Sequence, residues 1–162
     1  GPVGGGGAAV SALGGGDGAT GKRVDYKGSA NVIEAAGIYG VSRIVLVTSV
    51  GCGESKAALA AATYDALSEA LEEKDKAERY LTKYYTNTLW TVVRPGGLSN
   101  EPPTGAAILT EDQSAIGSVS REDVADLIVK QLDSPKAFQK IIACVDPTRS
   151  EGEAPTYAPF EC

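Results

Sequence analysis

The sequence predicts an α/β domain built on a parallel sheet with helices on both faces, and three observations carry that expectation. Arg43–Ile44–Val45–Leu46–Val47 is a run rich in β-branched residues with no alternating polar face, the pattern of a strand buried on both sides. Helical periodicity precedes this run and follows it, so strands and helices alternate along the chain. The run stops at Thr48–Ser49–Val50–Gly51. Open parallel sheets take their ligands outside the carboxyl ends of their strands, which places Thr48 and Ser49 at a binding crevice.

The chain has 162 residues, 43% hydrophobic and 22% charged, enough for one domain with a real core. A net charge of −6 with no cluster of Lys or Arg argues against nucleic acid or an anionic membrane face as partner. No apolar run approaches the roughly 18 residues of a membrane span. Histidine is absent, which excludes Ser-His-Asp and Cys-His catalysis and most transition-metal sites, so no metal is expected. Cys52, Cys144 and Cys162 are odd in number and lack C-x-x-C spacing, which fits a reducing compartment better than a disulfide framework or a zinc site. No methionine occurs, so the chain is expected to be processed, trimmed or part of a longer protein, and Gly1–Pro2 also fits a cleavage remnant.

Ten of the 20 glycines fall within the first 21 residues, interrupted by Ala8 to Leu13, which reads as the first strand. Gly16, Gly18 and Gly21 satisfy G-x-G-x-x-G before a helical pattern, the setting of a dinucleotide-binding turn. A segment this rich in glycine also matches by chance, and the next strand ends in Thr48–Ser49 where an acidic residue would hold a ribose.

From Val24 to Tyr39 apolar residues recur at helical spacing, and Gly40 supplies the stop. Cys52 to Thr63 is small and alanine-rich, with Ala57 to Ala62 read as helical or as a mobile cover. Leu67, Ala70, Leu71, Lys74, Ala77, Leu81 and Tyr84 mark a long helix with Lys74 on its inward stripe. Thr88 to Val93 is the next strand, which Pro95–Gly96–Gly97 is expected to end in a loop facing the same crevice as Thr48 and Ser49. Ser120–Arg121–Glu122–Asp123 resembles a capping box opening a helix with Val124, Leu127, Ile128 and Leu132 as its stripe, closed by Pro135. Lys140 to Val145 is the last strand. The organisation expected is a glycine-rich segment with the first strand at 1–21, a partial sheet-and-helix domain at 22–146, and an irregular tail at 147–162 running over the surface.

Val24–Asp25–Tyr26–Lys27–Gly28 with Asn31, Ile44 to Gly51, the Lys74-to-Glu78 helix, Thr91 to Leu98, Leu109–Thr110–Glu111–Asp112 and Ser120 to Ala125 together resemble the atypical short-chain dehydrogenase/reductases. The nearest likenesses are the NmrA-like group, the flavin/biliverdin-IXβ reductases and the plastid import-translocon-associated dehydrogenase. The resemblance implies a Rossmann-like sheet, incomplete here, in which Ala8 to Leu13 is the fourth strand of the family and only the later four strands are expected. It also implies NADP or NAD as cofactor. Ala12, Leu13 and Gly14 would then flank the adenine-ribose side, with Thr48 at the cofactor crevice. Ser49 would match the active-site serine, Lys74 the lysine holding the nicotinamide ribose, and Pro95, Gly96, Gly97 and Leu98 the border of the nicotinamide amide. The family's Tyr-x-x-x-Lys pair is not matched. Ala70 stands four before Lys74, Tyr64 is six positions too early, and Tyr80 to Lys83 is one residue short.

Two functions are expected from this. One is a reductase transferring hydride to a conjugated small-molecule acceptor such as a flavin, quinone or tetrapyrrole, with Ser49 and Lys74 as catalytic residues. The alternative is a non-catalytic structural or assembly subunit of a larger organellar complex, a photosynthetic one being the first candidate, that keeps the reductase shape and docks a protein partner on the exposed sheet edge near Ala8–Leu13. The plastid stroma is the expected location on this resemblance, and otherwise the cytoplasm.

Overall fold

The computed structural model describes residues 7–16, 18–150 and 152–162. In chain order the elements are β1 (Ala8–Ser11), α1 (Asp25–Ile38), β2 (Arg43–Val47), α2 (Ala61–Tyr84), β3 (Leu89–Pro95), β4 (Gly97–Ser99), β5 (Ile108–Thr110), β6 (Ser118–Ser120), α3 (Arg121–Gln131) and β7 (Lys140–Val145), with short 3₁₀ turns at Gly53–Ala58, Pro135–Ala137 and Pro147–Arg149. The main sheet has the order β1-β2-β3-β7-β5. β1, β2, β3 and β7 run parallel, and β5 is antiparallel to β7. The four parallel strands are those expected. β5 and the small parallel pair of β4 with β6 are additions that three-residue strands gave no periodicity to reveal.

β2 is buried at all five positions because its side chains enter cores on opposite faces of the sheet. Ile44 and Leu46 pack with Ile33 and Ala36 of α1, Ala77 and Leu81 of α2 and Val92 of β3. Val45 joins Val93, Ile142 and Cys144 under Val124 of α3. Each of these large aliphatic side chains contributes about 1.5–3 kcal/mol by leaving water. Arg43 opens β2 and is itself buried. Its guanidinium donates to Leu132 O at the end of α3 at 2.7 Å, to Leu89 O at the start of β3 at 2.8 Å and to the Gln131 side-chain Oε1 at 2.7 Å. Burial pushes its pKa down to about 10.

Four local expectations are corrected. β3 continues through Pro95, whose carbonyl accepts Val50 N on the β2 side while Gly96 N carries the ladder to Cys144 O, both at 2.9 Å, and β4 follows after one residue. α3 ends at Gln131, and Pro135 instead begins a 3₁₀ turn. The segment after β2 is 3₁₀ over Gly53–Ala58, and α2 begins at Ala61. The chain beyond Asp146 is strapped down rather than wandering. Asp146 is fully buried, the Tyr157 hydroxyl accepts from Ile116 N at 3.3 Å, and Phe160 N donates to Leu109 O at 2.7 Å along the outer edge of β5.

Ser120 caps α3, its Oγ accepting from Asp123 N at 3.0 Å. The Asp123 carboxylate turns outward to receive Thr104 N at 3.0 Å and Gly105 N at 3.1 Å, and Asp146 accepts the Thr104 hydroxyl and Thr148 N. Burial alone would raise both carboxyls, but these donors hold Asp123 and Asp146 below the ordinary carboxylate range. A carboxylate with a depressed folded-state pKa stabilises fully above its unfolded value and loses that contribution as pH falls through the folded one. Thermal melts are therefore expected to be flat from neutrality down to about pH 5 and to fall steeply below about pH 4. Asp146→Asn should lower the plateau and flatten that fall, and an unchanged acid limb in the variant would refute the assignment.

Candidate functional site

The carboxyl ends of β1, β2 and β3 lie side by side, at the sheet edge where the crevice is expected. Past β2, Thr48 N donates to Val93 O and Val50 N to Pro95 O, both at 2.9 Å, so the ladder continues and carries Ser49 alongside the end of β3. Ser49 is half-buried, and its hydroxyl donates to the carbonyl of Val50 at 2.8 Å. Ala12, Leu13 and Gly14 are exposed just beyond β1, as are Gly97 and Leu98 beyond β3, while Pro95 is buried and Gly96 half-buried.

Lys74 reaches across from α2 to the end of β1. Its ammonium donates to Leu13 O at 3.1 Å and pairs with Asp25 Oδ1 at 3.1 Å. The Asp25 side chain is fully buried at the start of α1 and also receives Arg23 Nε at 2.9 Å. Burial would raise the Asp25 carboxyl, but Arg23 and Lys74 hold it below its ordinary range. An ammonium has three donors, so Lys74 retains one N–H beyond its two partners.

Beneath Ser49 lies a polar network that sequence reasoning did not find. The Arg94 side chain is 1% exposed and grips Glu78 with two bonds, Nε to Oε1 at 3.0 Å and Nη2 to Oε2 at 2.7 Å. Thr48 Oγ1 donates to Glu78 Oε1 at 2.7 Å, and Arg94 Nη1 donates to Glu54 Oε2 at 2.9 Å and Gln113 Oε1 at 2.7 Å. Burial alone would lower the guanidinium pKa, but Glu78 and then Glu54 hold it above its ordinary value. In turn Arg94 draws the Glu54 carboxyl down. This cluster ties α2, β3, the 3₁₀ turn after β2 and the turn after β5 into one floor. The signal that would have found it is an arginine in the otherwise apolar run Thr91–Val92–Val93–Arg94, which requires a buried carboxylate partner.

The glycine pattern at Gly16, Gly18 and Gly21 does not form a strand-to-helix turn. Gly16 bridges Arg23 in an antiparallel contact, and α1 starts only at Asp25. Asp17, inside the pattern, lies outside the described residues.

The comparisons with known proteins bear on the fold and the family. An uncharacterized chloroplastic protein of Arabidopsis thaliana is 34% identical over 138 residues, covering 82% of this chain and 47% of that protein. The uncharacterized sugar epimerase YhfK of Bacillus subtilis is 37% identical over 112 residues, covering 68% of this chain and 48% of the relative. The chain therefore spans about half the length of these curated relatives. Among solved structures, ChuY, an anaerobillin reductase of Escherichia coli O157:H7, superposes with a TM-score of 0.77 at 32% identity, covering 90% of this chain and 66% of that one. Residues 3–135 match the profile described as NAD(P)H-binding. With a mostly parallel sheet and a lysine anchored at its carboxyl edge, the chain belongs to the NAD(P)H-binding family, as an NmrA-like member of the atypical short-chain dehydrogenase/reductases.

Proposed function

We propose that the chain forms the crevice of an NAD(P)-dependent reductase that passes a hydride to a conjugated acceptor such as a flavin, quinone or tetrapyrrole. The observation that carries this reading is Lys74, fixed by Asp25 and Leu13 O at the end of β1 with one N–H to spare, which fits a ribose hydroxyl. Ser49 on the neighbouring strand end rotates from Val50 O to donate to the acceptor or to the carboxamide. Ala12, Leu13 and Gly14 border the adenosine side, Thr48 stiffens the floor, and Pro95, Gly96, Gly97 and Leu98 border the nicotinamide side. When bound, the reduced dinucleotide supplies the hydride. The protein positions both reactants, which accords with the absence of a tyrosine four residues before Lys74.

Titration of the 162-residue chain with NADPH, followed by nicotinamide fluorescence, is expected to saturate in the micromolar range. Lys74→Ala should weaken binding at least about tenfold, the loss of about 1.4 kcal/mol. Ser49→Ala should leave affinity nearly intact and slow turnover of a flavin or quinone acceptor. A chain that shows no saturation below millimolar NADPH refutes this reading and favours a second one.

The second reading rests on β1. Among the described residues it pairs only with β2, and Ala8 and Val10 are exposed along it, Val10 at 46%. An unpaired edge of this kind seats an added strand, so a protein partner docking along Ala8–Leu13 would make the chain a subunit of a larger assembly. A chloroplastic relative supports the plastid as its location.

A further inference from the structure

The two carboxylates on Arg94 are unlike. The Glu78 side chain is 5% exposed and bidentate, whereas the Glu54 side chain is 67% exposed and makes a single contact to Nη1. Glu54 also stands at the wall of a cleft of about 550 Å³ between the 3₁₀ turn and the start of α2, lined by Glu54, Lys56, Ala57, Leu59, Tyr64 and Asp65 among others. That size suits a two- or three-ring ligand. Inside it the Lys56 ammonium lies 4.1 Å from the centre of the Tyr64 ring and has no carboxylate partner among the described residues. The wall is thin. A Cβ at Gly53 would lie 2.6 Å from Arg94 Nη2, so only a glycine lets the backbone rest on the buried guanidinium.

The backbone of this turn does not depend on Glu54. Ser55 Oγ accepts from Gly51 N at 2.9 Å and donates to Cys52 O at 2.6 Å, and Gly53 N donates to Asp75 Oδ1 at 3.1 Å. The Glu54 side chain is thus free to swing into water while the turn stays in place. As the cleft stands, Glu54 is neutralised by Arg94 and Asp65 is set against Lys56. Once Glu54 leaves, Nη1 of Arg94 keeps Gln113 and loses its carboxylate, the Lys56 ammonium remains at the cleft, and the displaced carboxylate is screened by solvent.

We infer that Glu54 occupies the seat of a ligand carboxylate. The ligand is a flat aromatic acid whose rings lie in the cleft against Tyr64 and whose carboxylate replaces Glu54 on Arg94, with Lys56 as the second cation. This goes beyond the reductase reading, since no residue lining the cleft is among those proposed to border the cofactor. It makes Glu54 a specificity gate that admits ligands able to supply the charge it gives up.

Sodium 1-naphthoate is the probe, with 1-naphthalenemethanol as its neutral counterpart, and binding is read by calorimetry and by thermal shift. Glu54→Ala should bind naphthoate saturably and at least about tenfold more tightly than the native protein. The alcohol should gain nothing, and Lys56→Met in the Glu54→Ala background should reverse most of the gain. Glu54→Gln keeps the acceptor oxygen without the charge. It should show the same ranking at smaller amplitude, and it serves where Glu54→Ala does not fold. Equal naphthoate affinity with and without Glu54, or equal gains for acid and alcohol, overturns the inference. NADPH titration of the same samples separates the two readings. Naphthoate binding without NADPH binding keeps the cleft and removes the cofactor, and the reverse removes the cleft alone.

Discussion

Arg94→Met is expected to be the most damaging single substitution in the chain. It leaves the Glu78 carboxylate buried with Thr48 as its only remaining side-chain partner among the described residues, and breaking a buried ion pair from one side costs about 3–5 kcal/mol. For a chain of this size that corresponds to a fall in melting temperature of roughly 10 °C or more. Glu78→Gln should cost less, because Arg94 keeps Glu54 and Gln113 and the amide oxygen still accepts from Thr48. Combining Arg94→Met with Glu78→Leu should recover much of the loss, since an apolar pair of similar volume needs no desolvated charge. The measurement is a set of thermal and denaturant melts on the three variants. A double variant no better than Arg94→Met would show that the guanidinium contributes through Glu54 and Gln113 instead.

Gly96 is the second position of large effect, and Gly97 is its internal control. A Cβ at Gly96 would lie 2.0 Å from Gly117 O and 2.9 Å from Gly117 C, both backbone atoms that cannot rotate away. Gly97 N donates to that same Gly117 O at 2.8 Å, the bond that begins the β4–β6 pair. Gly96→Ala must therefore push the two short strands apart, at a cost on the order of 3 kcal/mol. At Gly97 the nearest atom to an added Cβ is 3.9 Å away, an ordinary contact, so Gly97→Ala should be nearly neutral in stability. Because Pro95 to Leu98 borders the proposed nicotinamide position, Gly96→Ala should also weaken NADPH binding more than Gly97→Ala does. Paired melts and titrations of the two variants check both statements, and equal effects at the two glycines would refute the steric argument.

What the sequence disclosed and what it withheld divide by the range of the interactions. β2 and β7 were legible because five or six consecutive residues carry their own burial pattern, and the Ser120 cap was legible because its partner is three residues away. β4, β5 and β6 were not, since three residues hold no period and their pairing depends on chain segments brought together by the fold. The crevice residues were placed by the resemblance at strand ends, and the strand ends are adjacent. Lys74 was legible as an inward lysine, but not its partners, because Asp25 lies on another helix and Leu13 contributes only a carbonyl. Glu78 and Glu54 were hidden for the same reason. A surface-type residue becomes structural only once Arg94 is known to be beneath it.

The strap at Phe160 has a consequence for how the molecule associates. With Leu109 O already engaged by the tail, a strand adding along β5 would first have to displace Phe160. That border is thereby blunted as a template for edge-to-edge aggregation.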